Sequence, residues 1–186
     1  PGVKVVVPST AGECKGLLKT AIRDNDPVMF FEHKMLYTTK FNDVPEVEED
    51  VCIPFGRARI VAEGADITVV TNSMMTIKAE KAVRQLQKEG ISAELIDLRT
   101  IVPLDTETII RSVKKTGKLL IVDEGHLSFG ITGEIASRIM PDVFYDLDAP
   151  IQRMGTADVP LPFSPALEFP LIPDEKKIAA KIREMV

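Results

Sequence analysis

Residues 90–105, GISAELIDLRTIVPLD, carry the pattern that decides the fold. This stretch follows a strongly periodic helix, continues as an apolar run typical of a buried strand, and ends at Asp105, which can cap the next helix. Similar apolar runs begin at Ile67 and Leu119, each 26 residues away from Ala93. Because that spacing leaves room for a crossover helix between parallel strands, we predict a βαβ series through this part of the chain.

The composition is that of an ordinary globular domain, and it argues against several classes of function. The chain has 186 residues, of which 45% are hydrophobic and 27% charged, and its net charge is -5. Since there is no basic excess, neither nucleic acid nor a membrane is an expected partner. No apolar run approaches the about 20 residues of a membrane span. Cys14 and Cys52 lie far apart, and we expect them to be reduced, buried thiols in a cytoplasmic protein.

Residues 1–33 predict a small unit of two parallel strands joined by a helix. Thr10 and Glu13 have the spacing of a capping box at the start of that helix. Residues 24–27, DNDP, form a strong stop signal, because three turn-favouring side chains precede a proline. Such a unit is too small to bury both faces of its own sheet.

The rest of the chain divides into a predicted linker and a predicted second domain. Residues 34–52 read as a surface linker with an acidic cluster of Glu46, Glu48, Glu49 and Asp50, and the second domain covers residues 53–186. Residues 58–62 and 67–71 flank a loop that contains a glycine, which predicts a hairpin and therefore one antiparallel strand at the edge of a mostly parallel sheet.

Ligands of an open parallel sheet bind beyond the carboxyl ends of the strands, so polar residues predicted there are candidate site residues. They are Asn72, Ser73, Arg99, Thr100 and residues 123–129. His126 has a side chain suited to proton transfer, but a hydrogen-bonded surface histidine is the commoner case. Arg99 is expected to pair with a carboxylate, and His33 to contact the other domain.

Residues 123–133 allow one further hypothesis. Asp123 and Glu124 are adjacent on a strand and should point to opposite faces, which argues against an acid and base pair. Residues 130–133, GITG, could bind an anion at a helix N-terminus, although close packing explains the glycines equally well. The residues alone thus predict an α/β domain and no particular reaction, and a self-contained module that binds a small anionic ligand here remains open.

Several segments together resemble the β subunit of the thiamine-diphosphate-dependent E1 component of 2-oxo acid dehydrogenase complexes. The segments that carry the resemblance are PGVKVV (residues 1–6), AIRDNDP (21–27), FEH (31–33), IDLRT (96–100), DEG (123–125) and LDAP (147–150). The resemblance implies a three-layer α/β domain of the transketolase C-terminal type, preceded by the end of a pyrimidine-binding domain. Residues 162–168 are somewhat more similar to the acetoin dehydrogenase branch than to the pyruvate branch.

The resemblance implies an oxidoreductase that decarboxylates a 2-oxo acid, or cleaves acetoin, and transfers the acyl group to lipoamide on E2. The cofactors implied for the whole enzyme are thiamine diphosphate and Mg²⁺, with K⁺ as a further candidate. In this family the glutamate that activates the cofactor and the histidine near the substrate lie upstream of Pro1. We therefore expect this chain to be inactive alone, to bind no cofactor alone, and to serve subunit assembly and E2 docking.

The resemblance also implies partners and two sets of site residues. The partners are an E1 α subunit, a second β subunit in a heterotetramer and the subunit-binding domain of E2, and the isolated chain is expected to be a homodimer. A monovalent-cation site would use the Ala21 carbonyl group with Asp24 and Asp26, for which a plain turn is the alternative. The interface would include His126, Phe129 and Val186.

Overall fold

The computed structural model describes residues 2–38 and 51–186, and it contains two sheets. In chain order, the strands and α-helices are β1 (Lys4–Val6), α1 (Ala11–Arg23), β2 (Val28–Phe30), β3 (Arg59–Ala62), β4 (Ile67–Thr71), α2 (Ser73–Lys88), β5 (Ala93–Asp97), β6 (Thr100–Val102), α3 (Thr106–Thr116), β7 (Leu119–His126), α4 (Ile131–Val143), β8 (Gln152–Thr156), α5 (Pro165–Glu168) and α6 (Glu175–Met185). The βαβ series predicted from the 26-residue spacing is confirmed, since β4 pairs in parallel with both β5 and β7.

The larger sheet has the strand order β3-β5-β4-β7-β8 and is covered on both faces. Alternate residues of its strands point to opposite sides. Val69 and Leu95 pack with α2 and α6 on one face, whereas Val70 and Ile96 pack with α3 and α4 on the other. The strands of a parallel sheet need such double cover, which explains their nearly continuous apolar sequences. The predicted three-layer α/β class is confirmed.

The predicted hairpin between β3 and β4 is wrong, although the antiparallel edge strand is confirmed. β3 pairs with β5, with Ile60 opposite Ile96. The reason is that β4 already has β5 and β7 as neighbours and offers no free edge. The intervening loop instead lies against the start of β5, where a Cβ atom on Gly64 would come within 2.2 Å of the Ala93 carbonyl carbon.

The smaller sheet combines the start of the chain with a strand from far along it. β1 and β2 pair in parallel across α1, which confirms the predicted βαβ unit. The third strand is β6, which pairs antiparallel with β1, so that Val5 lies opposite Val102. We call residues 2–38 the first unit and residues 56–186, without β6, the second unit. The two are joined through a shared sheet.

The predicted linker is described only at its ends. Residues 34–37 form a 3₁₀ helix, and the acidic cluster of residues 46–50 lies outside the described residues, as do residues 39–45. Beyond this gap the chain lies along α1, where the Ile53 N–H group donates to the Gly16 carbonyl oxygen at 3.2 Å. Thr20 Oγ1 also donates to the Ile53 carbonyl oxygen at 2.7 Å. Within residues 2–38 and 51–186, no helix has the length and apolarity to cross a membrane.

Candidate functional site

The carboxyl ends of the β4 and β7 strands carry candidate side chains that are already hydrogen-bonded. Asn72 Nδ2 donates to Asp123 Oδ1 at 2.9 Å, and the Gly125 N–H group donates to Asp123 Oδ2 at 3.0 Å. Glu124 instead contacts the first unit, where its Oε2 atom lies 2.7 Å from His33 Nε2. Asp123 and Glu124 therefore have separate partners, and the expected contact of His33 is confirmed.

The contact with His33 fixes the ionisation of Glu124. The hydrogen bond from His33 lowers the pKa of Glu124 more than burial raises it, and the charge of Lys78 adds to the lowering. A charged carboxylate thus holds the end of β2 against the end of β7. This contact joins the two units through side chains rather than through the shared sheet.

A second contact between the units surrounds Glu13, which is 4% exposed. Its Oε1 atom accepts a hydrogen bond from Arg99 Nε at 2.7 Å, and its Oε2 atom accepts one from the Ser9 N–H group at 3.2 Å. Arg59 Nε also lies 2.7 Å from Oε1, but its N–H direction does not form a hydrogen bond. The expectation that Arg99 pairs with a carboxylate is confirmed, and its φ of 59° shows the turn that this pairing holds.

Asp97, at the end of β5, completes this cluster and is fully buried. Its Oδ1 atom accepts a hydrogen bond from the Arg99 N–H group at 3.2 Å. Its Oδ2 atom has no hydrogen-bond partner among the described residues and lies 3.5 Å from Arg59 Nη2. Burial, and secondarily the charge of Glu13, raises the pKa of Asp97 to about 7.

A chain of hydroxyl groups runs beside these charges. Ser9 Oγ donates to Thr76 Oγ1 at 3.1 Å, Thr76 Oγ1 lies 3.0 Å from Thr71 Oγ1, and Thr71 Oγ1 donates to the Ile96 carbonyl oxygen at 3.2 Å. All three hydroxyl groups are buried. The first unit therefore lies on the edge of the larger sheet where an open α/β sheet ordinarily binds its ligand.

The residues predicted for a monovalent cation lie together at the end of α1, beside a lysine. Lys4 Nζ lies 2.7 Å from Asp24 Oδ2 and 3.1 Å from Asp26 Oδ2. The hydrogen bond from Lys4 lowers the pKa of Asp24, and the Ala21 carbonyl oxygen accepts from the Asp24 N–H group at 3.3 Å. The single Lys4 ammonium group thus already pairs with both carboxylates. The cation site stays a prediction.

The predicted interface residues lie on exposed parts of the second unit. Phe129 is fully exposed at the tip of the loop between β7 and α4, with a φ of 56°. At the last residue of β7, His126 Nδ1 lies 2.9 Å from the Ala157 carbonyl oxygen, which is the surface role expected for it. Val186 is partly exposed after α6. His126 and Phe129 line the same surface pocket, which does not include Val186. The interface role of all three residues stays a prediction.

Neither the glycines of residues 130–133 nor the cysteines form a recognisable reactive site. A Cβ atom on Gly130 would come within 2.1 Å of the His126 carbonyl oxygen, so close packing accounts for that glycine. Both cysteines are free thiols, as expected. Burial, with the hydrogen bond to Glu32, raises the pKa of the half-buried Cys14 to about 12. The expected burial is wrong for Cys52, which lies at the surface beside Arg23.

The metal ion of a diphosphate cofactor would need oxygen ligands from the protein. Across residues 2–38 and 51–186, no three or more His, Cys, Asp and Glu side chains are grouped so that they could hold a metal ion. The carboxylates at the strand ends are instead committed to Asn72, His33 and the arginines. These residues do not fit a Mg²⁺-diphosphate group.

Comparison with known proteins assigns the chain to a family. Residues 56–178 match the model of the transketolase C-terminal domain, and residues 1–40 match that of the transketolase pyrimidine-binding domain. The chain belongs to the transketolase C-terminal domain family. Among solved structures, it is similar to a split-gene transketolase described as an inactive β4 tetramer, with a TM-score of 0.79, 26% identity, and coverage of 100% of this chain and 57% of that one. A Pichia stipitis transketolase shares the fold with a TM-score of 0.64 at 14% identity, over 100% of this chain and 25% of that one.

Relatives of this family member include β subunits of dehydrogenases and of an acetoin oxidoreductase. It is 48% identical to the pyruvate dehydrogenase E1 component subunit β of Rickettsia felis and 44% identical to the 2-oxoisovalerate dehydrogenase subunit β of Bacillus subtilis, in both cases over 100% of this chain and 56% of the relative. It is 46% identical to the acetoin:2,6-dichlorophenolindophenol oxidoreductase subunit β of Cupriavidus necator, over 99% and 54%. The chain thus spans about half the length of these relatives and corresponds to their C-terminal portion. The resemblance noted in the sequence is confirmed.

Sequence reasoning missed part of the contact between the units. Glu13 was predicted only as a capping residue, and Arg59 and Thr76 were not singled out. A charged residue directly after a buried apolar run, as Asp97 follows β5, is a signal that could have indicated a polar cluster. Arg59 carries no such signal, because its position depends on the unexpected pairing of β3 with β5.

Proposed function

We propose that this chain is the C-terminal portion of the E1 β subunit of a thiamine-diphosphate-dependent 2-oxo acid or acetoin dehydrogenase, where it serves subunit assembly. The observation that carries the proposal is identity of 42–48% that extends along nearly the whole chain to β subunits of which it spans about 56%. The domain order, with residues 1–33 closing a pyrimidine-binding domain and residues 53–186 forming the C-terminal domain, is part of the proposal.

The exposed surface of the first unit supports an assembly role. Its exposed large apolar side chains are Val3, Leu18, Ile22, Met29, Phe31, Met35 and Tyr37. β2 is an edge strand of its sheet, although parallel strands are usually paired and covered on both faces. An apolar surface of this kind is typical of a contact with further polypeptide. We infer that the remaining portion of a β subunit, or another subunit, covers it.

The cofactor belongs to the proposed whole enzyme rather than to this chain. Thiamine diphosphate, when bound, supplies the carbanion chemistry that cleaves the bond next to a carbonyl group. Since the described residues do not fit its metal ion, we place the binding of the cofactor and Mg²⁺ in the α subunit and the portion of the β subunit that this chain does not span. A K⁺ ion at the Ala21 carbonyl group, Asp24 and Asp26 would compete with the Lys4 ammonium group for the two carboxylates.

Partners and substrate are proposed from the surface and the relatives. We propose a second β subunit, the E1 α subunit and an E2 subunit-binding domain as partners, with contacts at Phe129, His126 and Val186. The apolar side chains that follow β8 add to this surface; those most exposed are Leu161, Phe163, Leu167 and Phe169.

The named relatives act on pyruvate, 2-oxoisovalerate or acetoin, so the substrate lies in this class, with acetoin favoured by residues 162–168. A homodimer of the isolated chain and a cytoplasmic location are further parts of the proposal.

A hybrid subunit tests this function. The upstream portion of the Rickettsia felis β subunit is joined to this chain and expressed with the α subunit of the same organism, and turnover of pyruvate, 2-oxoisovalerate and acetoin is measured with an artificial electron acceptor. We expect thiamine-dependent turnover by the hybrid and none by the chain alone. A correctly assembled hybrid without activity on any of these substrates would contradict the proposal, and the preferred substrate would identify the branch.

A further inference from the structure

The cluster between the two units contains two carboxylates, Glu13 and Asp97, and Glu13 makes the closer contacts with the arginine side chains. Arg99 forms its side-chain hydrogen bond with Glu13 rather than with Asp97, and Arg59 Nε also lies against Glu13. The Ser9 N–H group adds a third favourable contact to Glu13. Glu13 is therefore well compensated as an anion although it is buried.

Asp97 is the poorly compensated carboxylate. Its Oδ2 atom is buried without a hydrogen bond among the described residues, and the 3.5 Å to Arg59 Nη2 is a long contact for an ion pair in so buried a place. An ionised carboxylate with one unpartnered oxygen and a second carboxylate nearby is costly, whereas its protonated form is neutral and can donate a hydrogen bond. The geometry thus favours a proton on Asp97 while the units are in contact.

We propose that Asp97 is a pH-sensitive clasp between the two units, which holds the first unit on the larger sheet when it is protonated and loosens that contact when it ionises. The groups that face Asp97 come from each element packed around it: Glu13 from α1, Arg59 from β3, Arg99 from the turn after β5, and the Ser9 hydroxyl group from the loop before α1. The clasp goes beyond the proposed function and does not depend on it.

The pH range follows from the ionisation of Asp97 in the closed contact. Burial, followed by the charge of Glu13, raises the pKa of Asp97 to about 7, while the neighbouring Ser9 hydroxyl group and the charge of Arg59 oppose the rise. In an open state, where Asp97 meets water, its pKa returns towards the ordinary 3.8. The closed state then binds more protons between these values, so the contact weakens as the pH rises through about 7.

Hydrogen exchange of the Val7 amide reports the opening of this contact. That amide donates to the Arg99 carbonyl oxygen at 2.8 Å and so bridges the units. Its protection factor in the 186-residue chain, corrected for the intrinsic exchange rate at each pH, should fall about tenfold between pH 6 and pH 8. A protection factor that stays constant over this range would overturn the proposal.

Substitutions around the clasp separate titration from ordinary structural damage. Asp97→Asn cannot ionise and should remove the pH dependence. Glu13→Gln removes a negative charge beside Asp97, so the protection factor of the Val7 amide should fall over a lower pH range. Arg59→Met removes a positive charge, so that fall should occur over a higher pH range. Opposite shifts from two neighbouring substitutions are not expected of lost packing, and they keep the proposal testable if Asp97→Asn does not fold.

Two controls exclude other groups. Glu94→Gln removes a buried carboxylate from the same strand, away from the first unit, and should leave the dependence of the Val7 amide on pH unchanged. His33→Gln tests the other side-chain contact between the units, in which His33 Nε2 lies 2.7 Å from Glu124 Oε2. Loss of the pH dependence in His33→Gln, together with its persistence in Asp97→Asn, would assign the effect to His33 and overturn the clasp.

Discussion

The two sheets of this molecule differ in size and in how fully their apolar side chains are buried. The larger sheet has helices on both faces and an apolar core that is continuous within each layer. The smaller sheet has three short strands, and its third strand is formed by residues 100–102. Large apolar side chains of α1 and β2 remain exposed. The difference indicates that the second unit carries most of the stability of the chain, whereas the first unit leaves apolar side chains exposed, as the proposed assembly role requires.

A matched pair of isoleucines tests this contrast with the largest expected effect. Ile121 is buried in β7, whereas Ile22 in α1 is 76% exposed. Ile121→Ala should lower the free energy of unfolding by about 3 to 4 kcal/mol, because it leaves a cavity in a packed core. Ile22→Ala should change it by less than about 0.5 kcal/mol. Urea denaturation followed by circular dichroism measures both, and similar losses would show that the first unit is as well packed as the second.

Glu94 offers a buried charge that belongs to the second unit alone. Although burial would raise its pKa, hydrogen bonds from Lys115 and Ser112 hold the pKa of Glu94 below its ordinary value. Stability from Glu94 is therefore present above the ordinary pKa of 4.5 and is lost as the pH falls below it. Glu94→Gln should cost about 2 kcal/mol at pH 7 and flatten the acid limb of a thermal unfolding series.

The sign for Glu94 is opposite to that for Asp97 on the same strand. The contribution of Glu94 disappears on acidification, whereas that of Asp97 disappears as the pH rises. If Glu94→Gln loses as much stability on acidification as the unchanged chain, the ion pair with Lys115 contributes nothing. The contrast between a charge inside one unit and a charge between the two units would then be wrong.

The contact of His33 with Glu124 should have a smaller and more local effect. Its side chains are partly exposed, so Glu124→Gln should weaken the docking of the first unit by about 1 kcal/mol and leave the larger sheet unchanged. Hydrogen exchange of the Phe31 amide, which donates to the Val6 carbonyl oxygen at 2.8 Å, should accelerate, whereas exchange in β4 should not. Equal acceleration in both places would mean that the units open together.

A surface pair on α2 should have the smallest effect. Arg84 Nη2 lies 2.6 Å from Glu80 Oε1, and the arginine is mostly exposed. Arg84→Ala should therefore cost less than about 0.5 kcal/mol, because solvent screens the pair and ordering the side chains offsets the attraction. If Arg84→Ala costs as much free energy as Glu124→Gln, the contact between the units is no stronger than an exposed surface pair, which contradicts the expectation.

The second unit could be predicted well from its sequence because its signals are local. Asp105 and Asp174 cap α3 and α6 by accepting from backbone N–H groups three residues later, and Gly117 ends α3 with a φ of 68°. The 26-residue spacing predicted parallel strands, and two-sided burial explains why the strands lacked an alternating pattern. The order of the strands was harder to predict from the sequence. Residues 63–66 have the sequence of a hairpin loop, but this loop crosses the start of β5, and β3 pairs with β5 instead of β4.

The contact between the units could be predicted only in part, because its residues are brought together by long-range pairing. His33 and Arg99 were predicted to make contacts of the kind observed. The joining of β6 to β1 and the placing of Arg59 beside Asp97 depend on strand pairings for which neither segment carries a local signal. The proposed cofactor and partner roles came from the family resemblance and not from periodicity or spacing.

Calorimetric titration with thiamine diphosphate and Mg²⁺ examines the proposal that this chain serves the assembly of an E1 enzyme without supplying its reaction centre. We expect no saturable binding by the 186-residue chain alone and saturable binding by the assembled hybrid with its α subunit. Tight, stoichiometric binding by the chain alone would contradict it.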